Sequence, residues 1–305
     1  MKKKKSSFKK KIEISSILNK IEVNFDNLDV INQLDNFFNS PRGHVVGITG
    51  PPGVGKSSMI NRLIKVLRKR DLSVGILAVD PSSKKSGGAI LGDRARFEID
   101  PKDDKIFTRS LATKNFLGGI SEMTFPYMNV LRSIFDIVII ETVGVGQSEV
   151  SIEDIVDTVI FCVQPGSGDS LQFIKSGIIE IPDIICVTKS DLSILANNTI
   201  SDIESVKKFF MNKNGQEIIT ISISSTTNQG FDNLDKSLND RWLWLKNERN
   251  LKKNRLKQGK KWLNNNLINK FGIEGFKKIE NMINYSNNPF LLLKEISEKV
   301  NIVLR

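Results

Sequence analysis

Eight consecutive residues constrain the fold of this chain more than any other part of its sequence. They are Gly50-Pro51-Pro52-Gly53-Val54-Gly55-Lys56-Ser57, and Ser58 follows them. They match the pattern G-x-x-x-x-G-K-[ST]. An apolar strand candidate at residues 45–49 precedes them, and a helix is predicted over residues 57–70. Glycines let the backbone wrap a phosphate with its N–H groups inward, and the positive N-terminus of the following helix faces the anion. The sequence therefore predicts a phosphate-binding loop (P-loop), in which Lys56 reaches the β- and γ-phosphates and Ser57 binds Mg²⁺.

The middle of the chain alternates short apolar runs with longer helical stretches. Further β-branched runs occupy residues 74–79, 137–141, 158–163, 184–188 and 218–222. Short apolar strands separated by helices are typical of a parallel sheet covered on both faces. We therefore predict an α/β fold of the P-loop NTPase type over residues 41–235, with a mostly parallel sheet flanked by helices.

Both ends of the chain lack such strands. Residues 1–40 are polar with sparse apolar positions, which favours one or two short amphipathic helices, and we expect their lysine-rich start to be unordered. After about residue 235, tryptophans and leucines recur at roughly helical spacing through a charged stretch. The predicted domains are an N-terminal helical extension at residues 1–40, the P-loop domain at 41–235, and a C-terminal helical arm at 236–305.

Composition argues against several classes of function. The net charge is +11, but the lysines are scattered and lack the interleaved aromatic residues of an RNA-binding sheet, so we expect no nucleic-acid partner. No apolar run reaches the roughly 20 residues that span a bilayer. The lysine-rich start is not followed by the apolar segment that a secretory signal peptide would have. We therefore predict a cytoplasmic protein without a membrane partner. Cys162 and Cys186 lie in apolar runs and are interpreted as buried free thiols, and the lone His44 as structural.

An acidic pattern ends the predicted strand at residues 137–141. Its last residue is Glu141, where many P-loop proteins carry aspartate, and Gly144 follows three residues later. The acid can hold Mg²⁺ through water, and the glycine N–H can sense a γ-phosphate. Alone, an acid at a strand end is often only solvated, but after a phosphate-binding loop the functional interpretation is favoured.

Base recognition is indicated by Thr188-Lys189-Ser190-Asp191, which directly follows an apolar run. The pattern resembles the guanine-specificity element Asn-Lys-x-Asp, whose carboxylate accepts hydrogen bonds from the guanine N1–H and amine while the lysine stem packs over the base. Thr188 stands where asparagine is usual, so we expect looser guanine selection. A later strand leads into Ser224-Ser225-Thr226, where GTPases place a loop whose backbone contacts the guanine oxygen.

A loop rich in glycine and serine follows the second predicted strand. It runs from Asp80 to Arg94 and includes Asp93. A nucleotide-sensing switch needs such a loop, which can fold over Mg²⁺ and the γ-phosphate and relax after hydrolysis. An ordinary surface loop is the alternative, and we favour the switch because long ordered loops are usually functional.

Taken together, these residues resemble the MeaB/ArgK family of P-loop GTPases. The matching stretches are GITGPPGVGKSS from Gly47, AVDPSSKKSGGAILGDRARF from Ala78, FLGGIS from Phe116, FDIVIIETVGVGQSEV from Phe135 and VDTVIFCVQPGSGDSLQFIKSGIIEIPDIICVTKSDL from Val156. The resemblance implies hydrolysis of GTP to GDP with Mg²⁺, and a homodimer formed through the C-terminal region. It also implies a chaperone whose nucleotide cycle gates adenosylcobalamin delivery to methylmalonyl-CoA mutase, or a related acyl-CoA mutase such as an isobutyryl-CoA type, and protects that mutase.

The resemblance assigns roles to the residues around the phosphates. Lys56 and Ser57 bind phosphate and Mg²⁺, and Asp80, Asp93 and Glu141 form an acidic ring around the metal. Of these, Lys56 and Asp93 are also expected to act in hydrolysis.

The resemblance further places Gln147 and Glu149 in a second switch, and has Lys189 and Asp191 read the guanine. Gln147 is a candidate for orienting the attacking water, and a helix-capping or loop role is the alternative. The sequence offers no certain base or arginine finger, so we expect slow intrinsic turnover that a partner raises.

Two other functions stay open at this point. The older transport-kinase name of the family suggests a small-molecule kinase, which needs a second substrate pocket and a base facing an acceptor hydroxyl. No separate domain supplies these. A metal-insertion GTPase is the other alternative, but nickel-inserting relatives carry His- or Cys-rich loops, whereas this chain has one histidine and two cysteines.

Overall fold

The structure is a computed structural model that describes residues 2–80, 97–112, 121–142, 152–166, 180–212, 215–247, 250–285 and 288–303; for residues 2–8 and 301–303 only the backbone is described. Within these ranges seven strands form one sheet. They are β1 (His44–Thr49), β2 (Val74–Asp80), β3 (Ile106–Ala112), β4 (Ile137–Thr142), β5 (Thr158–Val163), β6 (Ile184–Val187) and β7 (Ile219–Ser222). Neighbouring strands are parallel throughout, in the order β3-β2-β4-β1-β5-β6-β7. The predicted α/β fold with a parallel sheet is confirmed.

The strand β3 was not predicted from the sequence. It pairs with β2 over all seven of its residues and forms an edge of the sheet. Residues 108–110 in its middle are polar and half-buried. A strand that lies at an edge and is only partly covered does not need the continuous apolar run that marks the central strands, so its sequence gave no clear signal.

Eight helices are described alongside the sheet. They are α1 (Lys2–Val23), α2 (Leu28–Asn39), α3 (Lys56–Lys69), α4 (Thr124–Ile134), α5 (Ser193–Lys207), α6 (Phe231–Lys246), α7 (Asn250–Ile279) and α8 (Pro289–Val303), with a 3₁₀ turn at Glu280–Met282. The helix predicted after the phosphate loop is confirmed as α3. α1 places helical backbone where we expected an unordered start, and α7 is kinked at Gly272, where φ is 72°. None of the described helices is both long and apolar enough to cross a bilayer.

Helices cover both faces of the sheet. α3 and α6 pack on one face, where they meet Val46 and Ile48 of β1. Val45, which alternates with them along the strand, faces the larger helical layer on the other side. Because every residue of β1 is buried, the strand that leads into the phosphate loop is held rigidly from both sides.

The two ends of the chain pack together in that larger layer. Phe125 of α4 stacks on Trp262 of α7 with ring centroids 5.3 Å apart, and Trp262 lies 4.6 Å from Phe290 of α8. Phe38 of α2 joins the same cluster, 6.3 Å from Phe125. A Cβ at Gly259 of α7 would lie 2.9 Å from the Phe38 ring, so glycine permits this close approach. The N-terminal and C-terminal helices therefore share one core with the sheet.

The edge where the strands begin is organised by three aspartates that each precede a strand. Each accepts a hydrogen bond from a backbone N–H at the start of the neighbouring strand. The pairs are Asp136 with Ser73, Asp157 with Val45, and Asp183 with Val159, at 2.8 to 2.9 Å. These contacts fix the strand starts at the edge opposite the phosphate loop.

The C-terminal arm is fastened to the same edge by a buried ion pair. Arg255 of α7 donates from Nε to Oδ1 of Asp157 at 3.1 Å and from Nη2 to Oδ2 at 2.7 Å. The same Nη2 donates to the carbonyl oxygen of Gly43 at 2.6 Å. His44 stacks on Trp242 of α6 with ring centroids 4.9 Å apart, and burial lowers the pKa of His44 to about 4. This packing agrees with the structural role expected for His44.

Candidate nucleotide-binding site

The phosphate loop joins β1 to α3 at the edge where the parallel strands end, which is where α/β sheets bind ligands. Gly50, Gly53 and Gly55 have φ values of 137°, 74° and 101°, which residues with a side chain rarely adopt. Gly50 is also fixed by close packing, since a Cβ there would lie 2.3 Å from the carbonyl oxygen of Cys162 in β5. The loop conformation therefore requires glycine at these positions.

The side chain of Lys56 lies against the phosphate loop. It is the first residue of α3 and is 8% exposed. Its Nζ donates to the carbonyl oxygens of Gly50 at 2.6 Å and Pro51 at 3.0 Å. The first amides of α3 carry partial positive charge, so a fixed ammonium and a helix N-terminus converge on one anion-binding place.

The other residues of the loop differ in exposure. Pro51 is half-buried, Pro52 and Ser58 are exposed, and Val54 is buried. Pro52 and Ser58 therefore border solvent, whereas Val54 packs into the protein beneath the loop.

The structure brings together two of the four residues predicted to bind Mg²⁺. Ser57 Oγ donates to Glu141 Oε1 at 3.0 Å. Asp80 ends β2, the strand beside β4, and both carboxylates are 2% exposed. Asp93 lies outside the described residues. Within those residues no three His, Cys, Asp or Glu side chains are grouped closely enough to hold a metal, so the metal site stays a prediction.

Thr188 attaches the base-recognition pattern to the phosphate loop. It directly follows β6 and is 3% exposed. Its Oγ1 lies 2.7 Å from the carbonyl oxygen of Val54 and 3.0 Å from that of Val163. Because both neighbours only accept hydrogen bonds, the hydroxyl is turned into the protein. The predicted reading of the base then falls to the residues that follow Thr188, and both that role and looser guanine selection stay predictions.

Lys189 and Asp191 are held from several sides. Lys189 adopts a φ of 51°, and its Nζ donates to the carbonyl oxygen of Gly53 at 3.1 Å and to Gln164 Oε1 at 2.7 Å. Asp191 Oδ1 accepts a hydrogen bond from Ser224 Oγ at 2.6 Å. The phosphate loop, the base-recognition pattern and the loop after β7 therefore meet at one place.

The rest of the loop after β7 also contacts the phosphate-binding helix. The carbonyl oxygen of Ser225 accepts a hydrogen bond from Arg62 Nε of α3 at 3.0 Å. Thr226 is exposed. The predicted contact of this loop with the guanine oxygen stays a prediction.

Three predicted site residues, Asp93, Gly144 and Gln147, lie outside the described residues. The same holds for most of both predicted switches, including Glu149 and Arg94. Their assigned roles stay predictions.

Sequence reasoning missed several supporting side chains. Arg62 donates to the loop after β7, and Gln164 accepts from the base-recognition pattern. Thr142 of β4 donates to Thr49 Oγ1 of β1 at 3.1 Å beneath the phosphate loop. A signal for Gln164 was available, because it follows a predicted strand at the edge that also carries the phosphate loop. Arg62 lay within a predicted helix and gave no signal of a contact to a distant loop.

The two cysteines lie beneath the site without taking part in its chemistry. Cys162 and Cys186 are register partners in β5 and β6, and both are buried and unbridged. Burial raises the pKa of Cys162 to about 12, although the Lys56 charge opposes the shift. The thiols therefore stay protonated at neutral pH, and the prediction of buried free thiols is confirmed.

Comparison with known proteins agrees with this geometry. The family model described as methylmalonyl-CoA mutase-associated GTPase MeaB matches residues 28–275. A Pyrococcus abyssi protein with a provisional GTPase name is 39% identical over 221 residues, which are 70% of this chain and 67% of that protein. A mouse protein described as methylmalonic aciduria type A homolog, mitochondrial, is 44% identical over 147 residues, 48% of this chain and 35% of that protein. The match with a Pyrococcus horikoshii relative, 49% identical, also spans less than half of that protein, 47%.

Two solved structures share the fold. One, described as an LAO/AO transport system kinase, has a TM-score of 0.66 and 22% identity, covering 93% of this chain and 92% of the other. The hydrogenase maturation factor HypB of Archaeoglobus fulgidus has a TM-score of 0.51 and 18% identity, covering 69% and 95%. At these identities the likeness shows the fold alone. The family match, however, runs from α2 into α7 and includes both the phosphate loop and the base-recognition pattern. The chain therefore belongs to the MeaB family of GTPases.

Proposed function

We propose that the chain binds GTP with Mg²⁺, hydrolyses it to GDP and phosphate, and serves as a chaperone of an adenosylcobalamin-dependent acyl-CoA mutase. The observation that carries the nucleotide part is that the phosphate loop and the base-recognition pattern lie together at one edge of the sheet. They are joined by the contact of Thr188 Oγ1 with the Val54 carbonyl oxygen at 2.7 Å. A nucleotide that bridges these two elements has its phosphates at one and its base at the other.

The phosphate end is supported by a cation fixed within the loop and by a helix N-terminus. Lys56 and the first amides of α3 bind and orient the phosphates for in-line attack by water, without a covalent step. Ser57, Asp80 and Glu141 offer the hard oxygen donors that Mg²⁺ prefers, and two of them are already in hydrogen-bond contact. Bound Mg²⁺ supplies charge neutralisation at the phosphate oxygens.

The base end is supported by a carboxylate held in place. Asp191 accepts a hydrogen bond from Ser224 through Oδ1, which restrains the carboxylate. A carboxylate accepts from the N1–H and amine of guanine, whereas the same edge of adenine offers a different donor pattern. This favours GTP over ATP.

The mutase part of the proposal is supported by the family. Its description names methylmalonyl-CoA mutase, and the mouse relative is named for methylmalonic aciduria. We extend this to a nucleotide cycle that gates adenosylcobalamin loading and protects methylmalonyl-CoA mutase or a related enzyme. Among the described residues we assign no base to the attacking water, so the isolated protein is expected to turn over slowly and to be accelerated by its client.

A homodimer is part of the same proposal. The second half of the arm, from the kink of α7 onward, carries apolar side chains that are exposed in the single chain. Ile273 is 63% exposed and Met282 is 79% exposed. Burial of such side chains against a second copy would remove apolar surface from water.

The test compares hydrolysis of GTP and ATP with Mg²⁺, with and without a cobalamin-dependent acyl-CoA mutase. We expect slow, GTP-selective turnover that rises when the mutase is added. The variant Asp191→Asn is expected to lose GTP and gain XTP, because an amide N–H donates to the second carbonyl of xanthine where the carboxylate accepted from an amine. Asp202→Asn, the same change on the exposed surface of α5, serves as the control and should leave selectivity unchanged.

Three outcomes would contradict parts of this proposal. Equal use of GTP and ATP would refute the base-recognition role. Turnover of the isolated protein on the order of tens per second would show a site already complete without a partner. Turnover that ignores the mutase would refute the client.

A further inference from the structure

Gln164 lies between the two nucleotide-binding motifs but belongs to neither of them. It is the first residue after β5, the strand between β1, which leads into the phosphate loop, and β6, which leads into the base-recognition pattern. Its side chain is half-buried, and its Oε1 accepts a hydrogen bond from Lys189 Nζ at 2.7 Å. Gln164 therefore touches the base-recognition pattern from the strand next to it.

The same ammonium group also reaches the phosphate loop. Lys189 Nζ donates to the carbonyl oxygen of Gly53 at 3.1 Å. The side chain of Lys189 therefore extends from the end of β6 to the phosphate loop, and its ammonium group is held by two acceptors, Gly53 and Gln164. The backbone of Lys189 is left-handed, with a φ of 51°. Left-handed backbone is unfavourable for a residue with a side chain and persists only where surrounding contacts hold it. The two acceptors of the ammonium are contacts of that kind.

We infer that Gln164 is a positioning residue, which holds the stem of Lys189 across the place where the nucleotide base lies. The inference rests on the proposed function and deepens it. A free lysine stem has four rotatable bonds, and ordering it on binding would weaken the nucleotide complex. Anchoring the ammonium at two points orders the stem before the nucleotide arrives. Gln164 then provides the second of the two hydrogen-bond acceptors that hold the ammonium group.

The chemistry of the amide suits this task. Its carbonyl oxygen accepts from the ammonium but carries no net charge, so the positive charge of Lys189 is kept beside a polyanionic ligand. A leucine at this position would have similar size and no acceptor. The lysine stem faces the flat side of a base, whereas Asp191 reads its edge. The loss of Gln164 should therefore weaken binding of all guanine-like bases alike, without changing how they are distinguished.

The experiment measures dissociation constants of a fluorescent GDP analogue with Mg²⁺, with GDP, IDP and ADP as competitors. The variants are Gln164→Leu, Lys189→Met and the double variant, since methionine keeps most of the stem and removes the ammonium. Gln33→Leu, at an exposed position of α2, is the matched control. We expect Gln164→Leu to weaken GDP and IDP binding by about three- to tenfold, as for a partly exposed hydrogen bond to a charged group. We expect no further loss when it is added to Lys189→Met.

The outcomes separate the inference from the proposed function. Wild-type protein that binds ADP as tightly as GDP would refute the base-recognition part of the proposed function, and the inference with it. If the wild type prefers GDP, an equal loss from Gln164→Leu in both backgrounds would show that Gln164 does not act through Lys189. A changed GDP to IDP ratio, or no loss in either background, would overturn the inference as well. Thermal unfolding of each variant shows whether a loss of binding only follows from unfolding.

Discussion

The buried pair of Arg255 and Asp157 gives the sharpest prediction about stability. Both residues are nearly inaccessible, with side chains 4% and 0% exposed. Arg255→Ala removes three hydrogen bonds, two to the carboxylate and one to the Gly43 carbonyl oxygen, and leaves a carboxylate in a buried place. Burial by itself raises the pKa of Asp157, but the charge and hydrogen bonds of Arg255 outweigh it and hold that pKa at about 2. In the variant, Arg255 no longer offsets the cost of burying the Asp157 carboxylate, so the folded state is destabilised.

The expected cost is large because a buried charge loses its partner. Removal of one member of a buried ion pair typically lowers the free energy of unfolding by about 3–5 kcal/mol. The hydrogen bond that Asp157 accepts from the Val45 N–H satisfies only part of the carboxylate. The double variant Arg255→Met with Asp157→Asn has neither charge, and we expect it to recover most of the loss.

Urea unfolding at pH 7, followed by circular dichroism, measures these differences. Arg42→Ala is the matched control, because Arg42 pairs with Asp136 at 2.6 Å but its side chain is 61% exposed. We expect that control to cost less than about 1 kcal/mol. If Arg255→Ala costs no more than Arg42→Ala, the reasoning from burial is refuted. A double variant as unstable as Arg255→Ala would instead show that shape, not charge, is what the pair provides.

Two further predictions concern pH and the phosphate loop. The folded-state pKa of His44, lowered by burial to about 4, lies below its usual value, so stability should fall as the pH drops from about 6.5 towards 4, by up to about 3 kcal/mol. Urea midpoints across this range should fall less in His44→Gln than in wild type, and parallel curves would contradict a buried neutral histidine. Gly50→Ala puts a Cβ 2.3 Å from the Cys162 carbonyl oxygen and should weaken GDP binding by at least about tenfold, measured by fluorescence titration. Gly53→Ala, where a Cβ meets nothing within 4 Å, carries only backbone strain, so an equal loss in both variants would contradict the steric reasoning.

The central strands and the helix α3 could be predicted from sequence because local physics marks them strongly. A strand buried on both faces must be apolar along its length, and the run of β4 from Ile137 shows this directly. β3 could not be found in this way, since its middle is polar and its partner β2 lies more than twenty residues earlier in the chain. The N-terminal helices were predicted, but their packing with α7 and α8 joins residues about 250 positions apart, as in the hydrogen bond from the Phe290 N–H to Asp35.

The candidate site divides in a similar way. Motif residues such as Lys56 and Asp191 were predicted because phosphate and base recognition require particular side chains at fixed spacing. The contacts that hold them were not, because they depend on which strands become neighbours. Gln164 and Thr188 illustrate this, since their hydrogen bonds join β5, β6 and the phosphate loop.

The phosphate loop, the parallel sheet and the family could all be predicted from the order of the residues. Glycine conformations, buried strands and a lysine at the start of a helix are local requirements, and local requirements leave a readable pattern. Three features became visible only in the folded chain: Thr188 faces the protein, Arg255 joins the arm to the edge opposite the site, and Gln164 accepts a hydrogen bond from Lys189. Such contacts bring together residues 25 to 134 positions apart, and their geometry is set by strand order and burial. No local pattern encodes those two quantities.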